Sequence, residues 1–432
     1  MLRRTLAAGL VVLLAWQAAP AVAAGSVDGV TVAWTDTTHT KIRITWTEDP
    51  GIANTLRMEL GWWEEPLALG SVAATAPNEL VINSSYLGYT GSSEDRAEIV
   101  VADSTGTEAR SAAFDRYVRP SPMPTLSITP ERAVRWTVPE VEDPTPNDAL
   151  DLPGSSRFTP KLLLDKQPHT VADCGELALP STTGLSGEVP DQGKPGSLTL
   201  LSSNEWNPRG VGNDPAGIAT TGLTVAGPTS TQYGGSLVLS GTVRYQYIST
   251  NSSNICKQTS YLMPSERLVL QGRNTATSAW YVIGTTTTNV DGQYTVTLKN
   301  AGAREYRVVR PDTSSFNAIQ YGAWSPAKLV RATTKVVSAK FIAPVITLGT
   351  QPQAYLWVDP AGTQKAALQF KNASGVWQGI TYKTLYAGRG IAAFTFNRKG
   401  ATQFRWWVPG STTSTGLTVD AVYSSPFTLT VR

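Results

Sequence analysis

Nucleophilic or metal chemistry could draw on two histidines, His39 and His169, and two cysteines, Cys174 and Cys256. His169 precedes Cys174 in Pro168-His-Thr-Val-Ala-Asp-Cys174. A cysteine–histidine dyad needs a free thiolate beside the imidazole. A cysteine with one possible disulfide partner argues against that use. His169, Asp173 and Cys174 make three potential metal ligands, but no second cluster completes a set. His39 lies in Thr37-Thr-His-Thr40 and reads as a solvated turn residue. Neither a Gly-x-Ser-x-Gly elbow nor a phosphate loop is present. The acidic pairs Glu48-Asp49, Glu64-Glu65 and Glu94-Asp95 fall in loops. A glycosidase needs two carboxylates converging across a cleft, which this spacing does not place. The expectation is a chain that is not an enzyme and carries no cofactor.

Two other groups could bind rather than react. Glu140 to Asp151 gathers oxygen donors in one loop, with Asp143, Asp148 and Asp151 as calcium candidates. Calcium takes six to eight oxygens on flexible backbone. The EF-hand spacing is absent, and a solvated acidic loop is the other reading. Trp62-Trp63 and Trp406-Trp407 are adjacent pairs. Neighbours on a strand point to opposite faces, so one of each pair should face outward. An outward tryptophan can stack on a sugar ring or fill a contact between domains. Trp46, Trp280 and Trp377 are expected in cores.

The elements that would carry these residues are strands. Val30–Trp34, Ile42–Trp46, Leu56–Leu60 and Ala97–Ala102 alternate apolar and polar residues, the mark of a half-buried strand. Arg119-Pro-Ser-Pro-Met-Pro124 reads as a stiff linker. Short strands follow at Leu126, Ala133, Lys161, Glu176 and Ser197, separated by long loops, and the Gly/Pro-rich stretch 207–221 reads as a boundary. Asp291-Gly292 is a hairpin turn signal, read as type I′, with Tyr294, Val296 and Leu298 alternating after it. The stretch around it recurs. Leu368-Gln-Phe-Lys371 echoes Leu270-Gln-Gly-Arg273, Trp377 echoes Trp280, and Phe404-Arg-Trp-Trp-Val-Pro409 echoes Tyr306-Arg-Val-Val-Arg-Pro311, at offsets of 97 and 98 residues. Tyr306 could make a tyrosine-corner hydrogen bond; Phe404 could not.

Residues 1–24 read as a signal peptide: Arg3-Arg4, an apolar run from Leu6 to Trp16, then Ala21-Val-Ala-Ala24. The run is too short to span a bilayer, so no membrane span is expected. In an exported chain, Cys174 and Cys256 should form a disulfide. Closing so long a loop is worth about 4–5 kcal/mol in the chain-entropy model. The net charge of +3 conceals an asymmetry. Residues 25–118 carry 6 Lys/Arg against 14 Asp/Glu, whereas residues 333–432 carry 10 against 2. Such asymmetry bears on partners, not on fold; drift on solvated strand faces is the alternative. The basic candidates for a polyanion are Lys365, Lys371, Lys383, Arg389, Arg398, Lys399 and Arg405, with no single stripe expected.

The order Tyr233-Gly-Gly-Ser, Gly241-Thr-Val, Leu268-Val-Leu-Gln, Trp280, Asp291-Gly-Gln-Tyr-Thr-Val and Tyr306-Arg-Val resembles the immunoglobulin-like domains found in tandem in exported, often actinobacterial, bacterial proteins. Residues 25–118 resemble a fibronectin type III domain and equally an immunoglobulin-like variant. The resemblance implies an all-β chain, a tandem array of about four immunoglobulin-like β-sandwich domains after a cleaved signal peptide. The expected domains are residues 25–118; 119–218, β-rich and loop-heavy; 219–332; and 333–432, an internal repeat of 219–332. It implies a secreted, extracellular or cell-wall-associated protein that binds, adheres or spaces without catalysis. The partners would be envelope polymer, a glycan or another surface protein, not nucleic acid. A carbohydrate-binding protein using outward tryptophans is the alternative.

Overall fold

The computed structural model describes residues 26–61, 63–88, 92–143, 145–164, 175–250 and 256–432. The chain is all-β, as tandem sandwiches; the one helical turn among the described residues is the 3-10 turn Ser84–Tyr86. No helix among them is long and apolar enough to cross a membrane. The signal-peptide expectation lies outside the described residues.

Two compact units divide the chain. One comprises residues up to Ser121 with Glu140–Phe158 and Leu201–Gly212; the other comprises Pro122–Pro139, Thr159–Leu200 and Asn213–Arg432. In the first, strands Asp28–Trp34, Lys41–Thr47 and Glu79–Asn83 make one sheet, and Trp63–Val72, Asn54–Leu60, Arg96–Asp103 and Glu108–Arg110 the other. Alternation sends Ile42, Ile44, Trp46, Leu56, Met58, Ile99 and Val101 into a shared core. Each such side chain contributes about 1.5–3 kcal/mol when fully buried. Leu150 and Trp206, distant in sequence, belong to the same core. The Trp34 indole N–H donates to the Leu150 carbonyl at 2.8 Å, fastening the acidic loop to the sandwich.

The 207–221 boundary stretch contributes to strands of both units: Asn207–Gly212 belongs to the first, and in the second Ala216–Leu223 pairs with Ser236–Thr250 through Thr220–Leu223. Ser236–Thr250 continues into a long arm with Cys256–Leu262. The two sandwiches that follow have matching six-stranded sheets, each a five-strand path with one short strand, Ala323–Trp324 or Val422–Tyr423, paired beside it. One runs Ser230–Gln232, Lys328–Thr333, Arg304–Arg310, Arg267–Arg273, Tyr281–Thr287. The other runs Val345–Ile346, Phe427–Val431, Gly400–Val408, Gln364–Lys371, Trp377–Leu385. Each opens with a short parallel strand. Their cores are separate, one around Leu237, Leu268, Tyr306 and Val308, the other around Leu356, Leu368, Phe404 and Trp406.

The Asp291-Gly292 turn is not a paired hairpin. Strand Gln293–Lys299 pairs with Ser236–Thr250, while Tyr281–Thr287 pairs with Arg267–Arg273, so the turn carries the chain from one sheet to the other. It is not type I′ either. Gly292 has φ +65°, whereas Asp291 does not enter the left-handed region. Asn289 holds the turn: its Oδ1 accepts the N–H groups of Asp291 and Gln293 at 3.0 and 2.9 Å. The buried tyrosine hydroxyl that anchors a loop is Tyr294, donating to the Thr224 carbonyl at 2.5 Å. Burial raises its pKa. Ninety-eight residues on, the position is Ala392, without a hydroxyl.

Candidate functional site

Two surfaces gather the chemistry-bearing side chains. The first is an acidic cleft of about 510 Å³ within the first unit. Asp148 organises its loop. The Asp148 Oδ1 accepts the N–H groups of Leu150 and Asp151, and its Oδ2 accepts those of Asp115 and the Thr145 hydroxyl. With its oxygens engaged this way, Asp148 acts as scaffold. Asp143 and Asp151 instead converge with Asp115, with carboxylate oxygens within 4.8 Å of one another. Asp115 is buried, and burial, reinforced by Glu205, Asp148 and Asp143, pushes its carboxyl up to about 7. Burial also raises Glu205, whose Oε2 accepts the Ser155 hydroxyl. The buried Asn204 donates to the Tyr117 carbonyl at 2.7 Å, while its Oδ1 has no hydrogen-bond partner. Asp115 and Glu205 escaped sequence reasoning, because each is distant in sequence from the acidic loop it joins. Three carboxylates and an unpaired amide oxygen lining one cleft are the donor chemistry of a hard cation.

The second surface is the outer face of the six-stranded sheet in the last sandwich. Along Gln364–Lys371, Ala366, Leu368 and Phe370 pack on the core, so Lys365, Ala367, Gln369 and Lys371 face outward. Along Gly400–Val408, Phe404, Trp406 and Val408 are buried and Arg405 and Trp407 face outward. The Arg405 guanidinium lies 4.4 Å from the Trp377 ring centroid and 3.9 Å from that of Tyr423, and its Nε donates to Gln369 Oε1 at 2.8 Å. The preceding sandwich repeats the clamp. Arg307 lies 4.3 Å from the Trp280 ring centroid and 5.8 Å from that of Trp324, with Nε donating to Gln271 Oε1 at 2.8 Å.

The clamp corrects the expectation for Trp280 and Trp377. Both are half-buried beneath arginine: Trp377 opens its strand opposite the outward Lys371, and Trp280 immediately precedes strand Tyr281–Thr287; Trp46 alone of the three is core. Trp406 is core and its neighbour Trp407 faces out, as strand parity requires. The basic candidates divide between surfaces. Lys365, Lys371 and Arg405 share this face, and Lys371, Arg398 and Lys399 line one hollow of about 400 Å³. Lys383 pairs with the core position Ala366, and Arg389 stacks on Trp357 in the opposite sheet, so these two lie elsewhere.

Trp62 lies outside the described residues, as do His169 and Cys174, so the expected Cys174–Cys256 disulfide does too. Trp63 opens strand Trp63–Val72. His39 lies in its turn with φ +52° and its ring 5.2 Å from that of Trp34.

No family model matches the chain, and no curated protein matches it. Among solved structures, a tetra-tandem repeat from the extending region of a large adhesion protein is 13% identical, covering 94% of this chain and 99% of that one, with a TM-score of 0.26. The FN1-FN3 domains of chicken CNTN1 are 10% identical over 72% of this chain and 99% of that one, at 0.25. The D0-D1 domain of intimin is 12% identical over 49% and 99%, at 0.17. Superpositions at this level transfer no function.

Proposed function

We propose that the chain is an exported, non-enzymatic protein that binds or spaces at the cell envelope. The observation that carries this reading is the outward duplication. Two successive sandwiches repeat, at a spacing of about 98 residues, both a closed core and an external arginine–aromatic clamp. Modules that each bury their own core multiply an accessible surface along a chain. Envelope polymer, glycan or another surface protein is the partner class for such a surface.

The test is fractionation of the native host with an antibody to the chain, plus N-terminal sequencing. A processed chain beginning after Ala23 or Ala24, in the wall or medium fraction and cosedimenting with purified walls, is expected. An unprocessed intracellular chain that ignores walls would overturn the reading.

A further inference from the structure

We propose that the outer sheet face of the last sandwich, together with the basic hollow it meets at Lys371, binds an anionic polysaccharide, with Lys371, Arg398 and Lys399 taking its charged groups and Tyr382, Trp407 and Tyr423 its sugar faces. This deepens the envelope reading and rests on it.

The preceding sandwich is an internal control, since it has the same fold and clamp. Its Arg273 is neutralised by Glu305, Nε to Oε2 at 2.5 Å. At the 98-residue spacing these positions become Lys371 and Gln403, which line the hollow together. The acid is gone and the cation is kept. Arg398 and Lys399 stand where that spacing gives Asn300 and Ala301. Among the described residues lining the hollow, three are cations and none is a carboxylate. Charge complementarity therefore selects an anion.

The apolar part changes in the same place. In the earlier sandwich Val269 pairs with Thr285 on one side and Val309 on the other. In the last, Ala367 pairs with Tyr382 and Trp407, and Trp407 pairs with Tyr423. Ala367 is covered between the two aromatics, and Lys371, two outward positions further along the same strand, lines the basic hollow. Tyr382 and Tyr423 are 63% and 52% exposed, so ring surface remains for a ligand. Exposed aromatic surface next to fixed charge marks a binding face more than a stabilising one. A charged polymer of flat-faced rings fits both halves.

The experiment uses the full chain and three probes: polygalacturonate, neutral dextran, and polyphosphate. Variants restore the residues of the preceding sandwich, which that fold already tolerates: Gln403→Glu, Tyr382→Thr with Trp407→Val, and separately Lys371→Gln/Arg398→Gln/Lys399→Gln. Far-UV circular dichroism checks folding. The parent should bind polygalacturonate above dextran, and weaken with salt. Each lost exposed charge contact should cost roughly two- to fivefold in affinity, so the triple variant should lose about tenfold or more. The aromatic double variant should lose polygalacturonate while keeping polyphosphate. Equal binding of dextran, or folded variants that bind like the parent, would overturn the assignment. So would salt-sensitive self-association without polygalacturonate binding, which would assign the positive face to the chain's own acidic half. If those variants still cosediment with walls, only this face is wrong; a parent that ignores walls sinks the envelope reading itself.

Discussion

The Ser325 Oγ accepts the Val308 backbone N–H at 3.0 Å, while the Ser325 N–H donates to the Val308 carbonyl at 2.8 Å. The arrangement recurs in the last sandwich, where Ser424 holds both backbone groups of Trp406, and in the first, where Ser111 holds those of Ile99. Three sandwiches thus close their penultimate strand with one serine, at a point where the ladder lacks a strand partner.

Serine removal should therefore act locally. Val308 and Trp406 are fully buried, so Ser325→Ala or Ser424→Ala leaves an orphaned N–H costing about 1–3 kcal/mol. Several sandwiches in one chain do not guarantee two-state melting. Hydrogen exchange at the amide facing the serine is the cleaner readout. Faster exchange at Trp406 in Ser424→Ala, with Val308 unaffected, is expected; unchanged protection at Trp406 would contradict the clamp.

Tyr294 and Gly241 make a second local test. A Cβ on Gly241 would lie 2.0 Å from the Thr224 carbonyl oxygen and 2.6 Å from the Tyr294 hydroxyl. Tyr294→Phe should cost about 0.5–1.5 kcal/mol, the net worth of one hydrogen bond. Gly241→Ala should cost more, since it displaces the carbonyl that accepts the bond. Comparing urea midpoints decides the order, and a milder effect for Gly241→Ala would refute it.

The junction between the last two sandwiches has its own pH dependence. Asp420 accepts Arg331 through both oxygens, at 2.7 and 2.8 Å, and this holds its carboxyl below the usual range. A depressed carboxyl contributes stability above its unfolded pKa of about 3.9, lost as pH falls through the folded value. Arg331 is well exposed, so screening keeps the effect small. The difference in melting temperature between the parent and Asp420→Asn should be present at pH 6 and shrink progressively as pH falls below about 3.9. A constant difference over that range would exclude the ion pair as its cause.

The strands of the sandwiches were legible because period-two alternation reports one buried face, and Ile42, Ile44 and Trp46 obey it. The repeat was legible because the same spacing preserves core and clamp. What failed was long-range. Nothing local in Asn289-Val-Asp-Gly says whether the strands it joins pair or lie in opposite sheets. Trp280 and Trp377 carried the right residue type for a core, but at positions where arginine, not core, covers the ring. Asp115 and Glu205 reach Asp143 and Asp151 through the fold, and spacing along the chain contains no trace of that convergence. Three of the basic residues, Lys365, Lys371 and Arg405, share one face by strand parity, a relation visible only once register is known.

That convergence permits one further prediction, on Asp115. It is 7% exposed, its oxygen lies within 4.8 Å of oxygens of Asp143 and Asp151, and among the described residues no lysine or arginine pairs with it. Like charges that close repel by about 1–3 kcal/mol at effective dielectrics between protein surface and water. In chelator, at a pH above the raised pKa of the Asp115 carboxyl so that it is ionised, Asp115→Asn should relieve this and raise the melting temperature of the first unit. A divalent cation bound to the native cluster but not to the unfolded chain stabilises by mass action. Millimolar calcium should then raise the parent more than the variant and narrow the gap. Differential scanning fluorimetry in chelator and in calcium reads both effects. A variant less stable than the parent in chelator would show that the Asp115 carboxylate is favourably held, and the repulsion argument would fail. Equal calcium shifts in both proteins would place the ion away from Asp115.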